Sequence, residues 1–458
     1  MNFLRRRPLI ALAAGLVLLA LALAAINAVD QGLTAEARGF FARPAVAFER
    51  SSGWALLAGF HAPPGEEPPA YAAALREAAR QRKPGTHIRP SAPPLEVRAA
   101  DELLCVPQDL DCVRAFARRP QSIDDLVADN AVLLARYEEL LRSRRLADVV
   151  EALDYYEAIM PHFSTVLRVQ QVRMSQAGVD ASRGRMQRAV AWLEADAEFQ
   201  RAWLEEAGSL LTKMLAVRAL SRDFLVAGQI ARAGLPLTPS EWDALGRIAA
   251  PLTETQRGVA AVLRIEATLF ASLLDEMIAD SRTTSRIIES NRLGSTIAAA
   301  TLRRNATLNF AHPLFAAWTT LDPVPSSDLA KAIERIEENA RRRLELDWTW
   351  IYNLTGKALV REQKPELAEY LYRVRDLDAL ASTIRCAIDL RRRAIPREAA
   401  AAHVAASPLC IDPYEAGPLG WDAERGELSY KARAPKQVNR FGGRGDRVTF
   451  AVYGPGAS

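Results

Sequence analysis

The chain has 458 residues, of which 25% are charged and 49% hydrophobic, a composition typical of a globular protein that buries a core. Its 59 basic and 55 acidic residues leave a formal net charge of only +4, and this balance argues against a nucleic-acid partner. The sequence contains no P-loop, dinucleotide fingerprint or nucleophile elbow. We therefore predict no cofactor and identify no small-molecule ligand.

The strongest pattern in the sequence is at the N-terminus. Arg5, Arg6 and Arg7 precede an uncharged apolar run from Leu9 to Ile26, whose membrane-facing candidates include Leu16, Leu19 and Leu23. As a helix, this run nearly spans a hydrocarbon core of ~30 Å. Because the arginines lie on one side only, they predict a cytoplasmic N-terminus over residues 1–7 and a translocated remainder. The sequence thus predicts a single-pass anchor over residues 8–28.

A cleaved secretory signal is the alternative interpretation of the same segment. The triplet Ala22-Leu23-Ala24 fits a small-residue cleavage site, but the apolar run is longer than the usual signal-peptide core of about 7–15 residues. We favour the retained anchor. The composition, rich in alanine and arginine, suggests a bacterial source, so both interpretations place most of the chain in the periplasm; the favoured one holds it at the inner membrane.

The four cysteines are placed as expected for an oxidising compartment. Cys105 and Cys112 flank a short turn-forming segment, and Cys386 and Cys410 lie on either side of two prolines. We predict disulfides within each of these two pairs. Metal binding is the alternative, but the chain has no CxxC pair and its five histidines are scattered, so no metal site is predicted.

The remaining organisation follows from proline content and hydrophobic periodicity. Residues 29–100 form a proline-rich juxtamembrane segment with one short helix predicted around Tyr71–Arg82. Residues 101–405 show helical spacing throughout, and a capping box starts a helix at Thr238. Residues 406–458 form a tail with short strands, including alternating Val448, Phe450 and Val452. The predicted fold is mainly α: an anchor, an irregular multi-helix bundle or solenoid, and a small β-hairpin tail.

One acidic residue and its aromatic neighbours stand out in the helical region. Asp347 lies beside Trp348 in an apolar stripe, where burial would raise the pKa of its carboxyl group. The favoured alternative is a partly exposed carboxylate at a helix edge. Trp348, Trp350 and Tyr352 alternate, and filling of the core is favoured over a groove for a peptide helix.

Three segments together resemble parts of uncharacterised, membrane-anchored helical proteins of proteobacteria. This resemblance covers most of the chain, including the anchor and the Cys105–Cys112 loop. It implies an inner-membrane location and a helical architecture, and it implies no catalytic residue. The segments are Asn305-Ala306-Thr307-Leu308-Asn309, Tyr352-Asn353-Leu354-Thr355-Gly356-Lys357, and the run from Asp412-Pro413-Tyr414 to Trp421-Asp422.

Two functions from different classes remain. The first is a non-catalytic envelope protein, held in the membrane and presenting a helical surface to a periplasmic protein partner. The second is a hydrolase of cell-envelope material whose acidic residues meet only in the folded protein. We favour the first because every catalytic motif that can be tested in the sequence is missing.

Overall fold

The fold is taken from a computed structural model that describes residues 15, 18, 21–22, 24–42, 49, 52–81, 93–143, 146, 161–279, 298–362 and 367–454. Within these residues the protein is mainly helical, with short strands near the C-terminus. The helices are α1 (Ala35–Phe40), α2 (Gly53–Ala58), α3 (Pro68–Gln81), α4 (Cys112–Ala117), α5 (Pro120–Asp129), α6 (Ala131–Arg142), α7 (Phe163–Ser182), α8 (Met186–Glu206), α9 (Leu210–Arg232), α10 (Pro239–Ile248), α11 (Glu254–Arg257), α12 (Ala260–Ala279), α13 (Arg304–Thr319), α14 (Ser326–Arg343), α15 (Leu354–Glu362), α16 (Leu367–Arg392), α17 (Ala400–Ala406) and α18 (Pro435–Val438).

The chain divides into two compact units, each discontinuous in sequence. The smaller unit contains residues 1–44, 263–321 and 331–366, and the larger contains residues 45–262, 322–330 and 367–458. The segments expected from the sequence therefore do not coincide with these units. Discontinuity arises because residues from the start of the chain fold against helices that lie hundreds of residues later.

Helix α9 forms the centre of the larger unit. It packs against both α8 and α16, and nearly all of its residues from Thr212 to Ala231 are buried. Gly228 permits a close approach, since a Cβ atom there would lie 2.5 Å from the ring of Phe450. A helix that is buried over most of its circumference has apolar residues on several faces, which is why periodicity alone does not indicate its neighbours.

A three-stranded antiparallel sheet packs on α16 near the C-terminus. It consists of β3 (Gly420–Asp422), β4 (Glu427–Lys431) and β5 (Arg447–Ala451), while β1 (Ile411–Asp412) and β2 (Gly417–Pro418) form a separate pair. In register, Leu428 opposes Phe450 and Tyr430 opposes Val448, and all four side chains are buried. The predicted strand at Val448 and Phe450 is confirmed.

The core of the smaller unit surrounds α1, α12 and α13. Ala37 and Phe41 pack in one buried cluster with Phe270, Leu274 and Leu308. The residues that follow the apolar N-terminal run are therefore part of this unit's core, and they are held by apolar burial as well as by hydrogen bonds.

The predicted membrane anchor lies mostly outside the described residues. Arg5, Arg6, Arg7, Leu9, Leu16, Leu19 and Leu23 are not described, whereas Ile26 is helical and exposed. Among the helices that the structure describes, none combines the length and hydropathy needed to cross a bilayer.

Helix starts agree with the sequence where the signal is local. The capping box at Thr238 is confirmed: the backbone N–H of Thr238 donates to the carboxylate of Glu241, and Pro239 lies in the first turn. The short helix expected around Tyr71–Arg82 is present as α3, beginning three residues earlier. Helix α5 begins at Pro120, because proline suits the first helical position.

Candidate functional site

The residues directly after the apolar run are bound tightly to the smaller unit. We call Asn27–Phe41 the strap. Asn27 is completely buried: its Nδ2 donates to the backbone oxygen of Ile351 over 2.9 Å, and its Oδ1 accepts from the N–H of Asn353 over 2.8 Å. A buried amide that satisfies two backbone groups is costly to remove. The strap is therefore bound to the smaller unit from its first residue onward.

The strap also caps the helix on which it lies. The carboxylate of Asp30 accepts from the N–H groups of Asn305, over 2.8 Å, and Ala306, over 3.1 Å, at the start of α13. A negative charge there satisfies free N–H groups and complements the helix dipole. One turn on, Asn309 Oδ1 accepts from the N–H of Thr34 over 3.0 Å. A side chain of the strap and a side chain of α13 thus fix the position of the strap along this helix.

A tight contact joins the two segments to which the strap binds, one around Thr307 and one around Asn353. Asn353 adopts a left-handed backbone conformation with φ of 59° and donates from Nδ2 to Thr307 Oγ1 over 3.0 Å. Gly356 lies against both groups, because a Cβ atom there would lie 1.9 Å from Thr307 Oγ1. Only glycine fits this close approach. The first two of the three segments that carried the family resemblance therefore meet at one site, and that site binds the strap.

The position of Asp347 agrees with the interpretation that the sequence favoured. Its side chain is exposed, caps a short 3₁₀ turn at Trp348–Ile351, and has a lowered pKa, mainly because Thr349 donates a hydrogen bond to it. This exposure agrees with the favoured interpretation, a partly exposed carboxylate, and not with the alternative of burial. Filling of the core is confirmed for Trp350, whose Nε1 donates to the oxygen of Glu345, but not for Trp348, which is 81% exposed.

The acidic residues whose pKa is raised lie inside the larger unit. Asp196 accepts hydrogen bonds from Tyr137 over 2.6 Å and from Gln170 over 2.8 Å, and burial raises its pKa. Burial, followed by the charge of Asp196, raises the pKa of Asp223 well above its ordinary value. Both side chains are completely buried. This network therefore links α6, α7, α8 and α9, and neither of its two carboxyl groups is exposed to solvent.

A third buried carboxyl group joins the C-terminal sheet to α16. Asp376 accepts from the hydroxyl of Tyr414 over 2.7 Å and from the N–H groups of Arg433 and Ala434. Burial raises its pKa to about 6, while those hydrogen bonds act in the opposite direction. The contacts of this carboxyl group are those of a structural residue that anchors a loop.

One polar cavity of about 200 Å³ lies in the larger unit, between the disulfide loop, α9 and the sheet. Asp109, Asp111 and Glu427 line it together with Arg232 and Arg444. Arg232 donates to Asp111 over 2.7 Å, so this pair is already neutralised. The cavity brings carboxylates together, but the groups with raised pKa values are elsewhere.

Two of the five histidines form a stacked pair. The rings of His61 and His162 are 3.8 Å apart, and burial, with the charges of His162 and Arg136, lowers the pKa of His61 to about 4. His403 contacts Asp389 over 2.7 Å, and His87 lies outside the described residues. Across the described part of the chain, no cluster of three metal-ligating side chains is found.

Both predicted cysteine pairs are at bonding distance. The Cα atoms of Cys105 and Cys112 are 5.6 Å apart, and those of Cys386 and Cys410 are 4.8 Å apart. The first closes the loop before α4, and the second ties α16 to the segment that follows α17. Both lie within the larger unit.

Comparison with known proteins supplies no relative: no family model, curated protein sequence or solved structure matches this chain. The strap site was not predicted from sequence because its groups come from three distant segments. The available signals were the asparagines of 305–309 and the Asn-x-x-Gly pattern at Asn353 and Gly356, which favour capping and close approach.

Proposed function

We propose that this protein is a membrane-tethered, extracytoplasmic helical protein that acts without catalysis, presenting its folded units to a protein partner in the bacterial envelope. The proposal rests on the binding of the strap to the smaller unit. Its first residue, Asn27, directly follows the apolar run at Ile26 and is already buried in the smaller unit. A tether followed by no free linker holds this unit at the membrane surface.

The compartment is supported by the cysteines. Both pairs are bonded and fully buried, as in proteins that fold in an oxidising environment. With Arg5–Arg7 on the other side of the apolar run, the favoured topology has a cytoplasmic N-terminus and periplasmic units.

The non-catalytic role is supported by where the perturbed acids lie. Asp196, Asp223 and Asp376 are buried in structural networks, whereas a hydrolase needs its acid and base beside a substrate cleft. Asp109 and Glu427 reach a cavity, and they are the residues on which the hydrolase alternative depends.

Fractionation of cells that express the full chain tests the tether. We expect the protein to remain in inner membranes washed with alkaline carbonate, and N-terminal sequencing to begin at Met1 or Asn2. A mature chain that begins near Ala25 would refute the retained anchor. Thiol labelling of intact spheroplasts tests the compartment, since we expect reaction only after reduction and unfolding.

Crosslinking in intact membranes, followed by purification, tests the interaction. We expect one recurrent protein partner whose recovery is unchanged in the cavity variants Asp109→Asn and Glu427→Gln. Turnover of peptidoglycan fragments that is lost in either variant, with folding preserved, would favour the hydrolase.

A further inference from the structure

Four large apolar side chains that lie close together in sequence are exposed beside the strap. We call Leu346, Trp348, Ile351 and Leu354 the apolar patch. Trp348 is 81% exposed and Leu346 is 68% exposed, whereas Trp350 between them is buried. Exposed tryptophan next to exposed leucine and isoleucine is uncommon on a soluble surface and marks a contact with something apolar.

The patch is continuous with the end of the apolar run. The backbone oxygen of Ile351 accepts from Asn27, which directly follows Ile26. The hydroxyl of Tyr352 donates to the backbone oxygen of Val29 over 3.2 Å, and the side chain of Val29 is itself exposed. The place where the run enters the folded unit is therefore also the place where the patch is exposed.

The chemistry of the patch matches the interface of a bilayer and not its interior. Tryptophan is enriched where acyl chains meet headgroups, because its ring is apolar and its N–H is polar. Glu345 and Asp347 alternate with the apolar residues and are exposed. The Asp347 carboxylate is held by the N–H of Thr349, and Lys357 Nζ donates to the oxygen of Thr349 over 2.6 Å. These charged groups would stop the patch at headgroup depth.

We propose that the apolar patch inserts shallowly into the periplasmic face of the same bilayer that the N-terminal run crosses. This inference rests on the proposed function, because it takes the run as a membrane tether. The smaller unit then has two attachments to the membrane, one through the run and one through Trp348 and its neighbours. Two attachments restrict rotation of this unit about the tether and give it one orientation toward the surface.

The test uses the full chain with a single introduced cysteine, labelled with the fluorophore NBD. Both native cysteine pairs are bonded, so the introduced thiol is labelled selectively. The labelled protein is reconstituted in vesicles of phosphatidylcholine and phosphatidylglycerol that contain lipids with a nitroxide quencher at a shallow or a deep acyl position. Trp348→Cys probes the patch, and Leu346→Cys is a second probe; both replace exposed side chains and should leave the fold intact.

Two control positions make the outcomes distinguishable. Leu18→Cys lies within the apolar run and reports the tether, and Leu211→Cys replaces an exposed leucine of the larger unit. We expect the label at 348 to lose emission more with the shallow quencher, the label at 18 to lose more with the deep quencher, and the label at 211 to be unaffected.

Each other outcome overturns a defined statement. Loss at 18 without loss at 348 or 346 overturns the patch insertion and leaves the tether standing. No loss at either 18 or 348 overturns the tether and, with it, this inference. If the emission at 348 shifts to the blue as protein concentration rises and is not quenched by the nitroxide lipids, the patch contacts a second copy of the chain and does not insert into the bilayer. Loss at 211 equal to that at 348 indicates general adsorption.

Discussion

The backbone N–H of Asn353 donates to Asn27 Oδ1 over 2.8 Å, across 326 residues of sequence. Replacing Asn27 by alanine leaves this buried N–H and the oxygen of Ile351 without a partner. We expect Asn27→Ala to lower the unfolding free energy of the smaller unit by about 1–3 kcal/mol. Hydrogen exchange of the strap should accelerate. Asn339→Ala, at an exposed site on α14, is the matched control, and equal effects of the two substitutions would show that the strap contact is not stabilising.

Gly356 and Gly246 form a second matched pair, because both are glycines inside helices. A Cβ atom at position 356 would collide with Thr307 Oγ1, whereas one at position 246 has no atom within 4 Å. We expect Gly356→Ala to destabilise the smaller unit by about 2 kcal/mol or more through displacement of the contact. Gly246→Ala should stabilise the larger unit by about 0.5–1 kcal/mol, since alanine favours helix. Thermal unfolding of both variants measures this, and a tolerated Gly356→Ala would contradict the close approach.

His61 should make the larger unit sensitive to mild acid. Its folded-state pKa of about 4 lies below the ordinary 6.5, so its contribution to stability is present above pH 6.5 and is lost as the pH falls toward 4. Allowing for partial solvent screening, we expect a loss of about 1–2 kcal/mol between these limits. His61→Phe keeps a ring beside His162 and should reduce that loss. NMR titration of the five histidines should show one that stays neutral at pH 5; the absence of such a signal would contradict this prediction.

Asp223 should have the opposite pH dependence. Its pKa is raised in the folded state, so the stability that it contributes is full in acid and is lost as the pH rises above its ordinary value. Neither of its oxygens has a hydrogen-bond donor among the described residues, whereas Asp196 has several. We therefore expect Asp223→Asn to raise the unfolding free energy at pH 7.5 by about 1 kcal/mol or more.

The control for this prediction is the other member of the buried pair. Asp196→Asn should destabilise the protein, because an amide cannot accept from Tyr137 and Gln170 as the carboxylate does. Urea unfolding between pH 5 and pH 8 measures both variants. If Asp223→Asn and Asp196→Asn destabilise equally, Asp223 is charged in the folded protein and the assignment is wrong.

Elements that depend on local chemistry could be predicted from the sequence. The capping box from Thr238 to Glu241 spans four residues, and the turn between Cys105 and Cys112 brings its own ends together. The strand at Val448 and Phe450 was predicted because its alternation has a period of two. In the first two cases the interacting groups lie close in sequence, and in the third the alternation is itself a local pattern, so few conformations compete with the observed one.

The environment of single residues was less predictable. Trp348 lies in an apolar stripe, which indicates burial, yet it is exposed because the chain forms a 3₁₀ turn there and only Trp350 points inward. A stripe predicts a buried face only where the helix continues through it.

By itself, the sequence determined the helical class, the apolar run with its arginines, the two cysteine pairs and several helix starts, because these depend on composition and short-range spacing. Only the tertiary structure decided that Asn27 and Asp30 bind segments around Asn305 and Asn353, and that Trp348 is exposed beside them. The physical reason is distance along the chain. Hydrogen bonds between residues hundreds of positions apart leave no periodic pattern, and each asparagine alone reads as an ordinary capping residue.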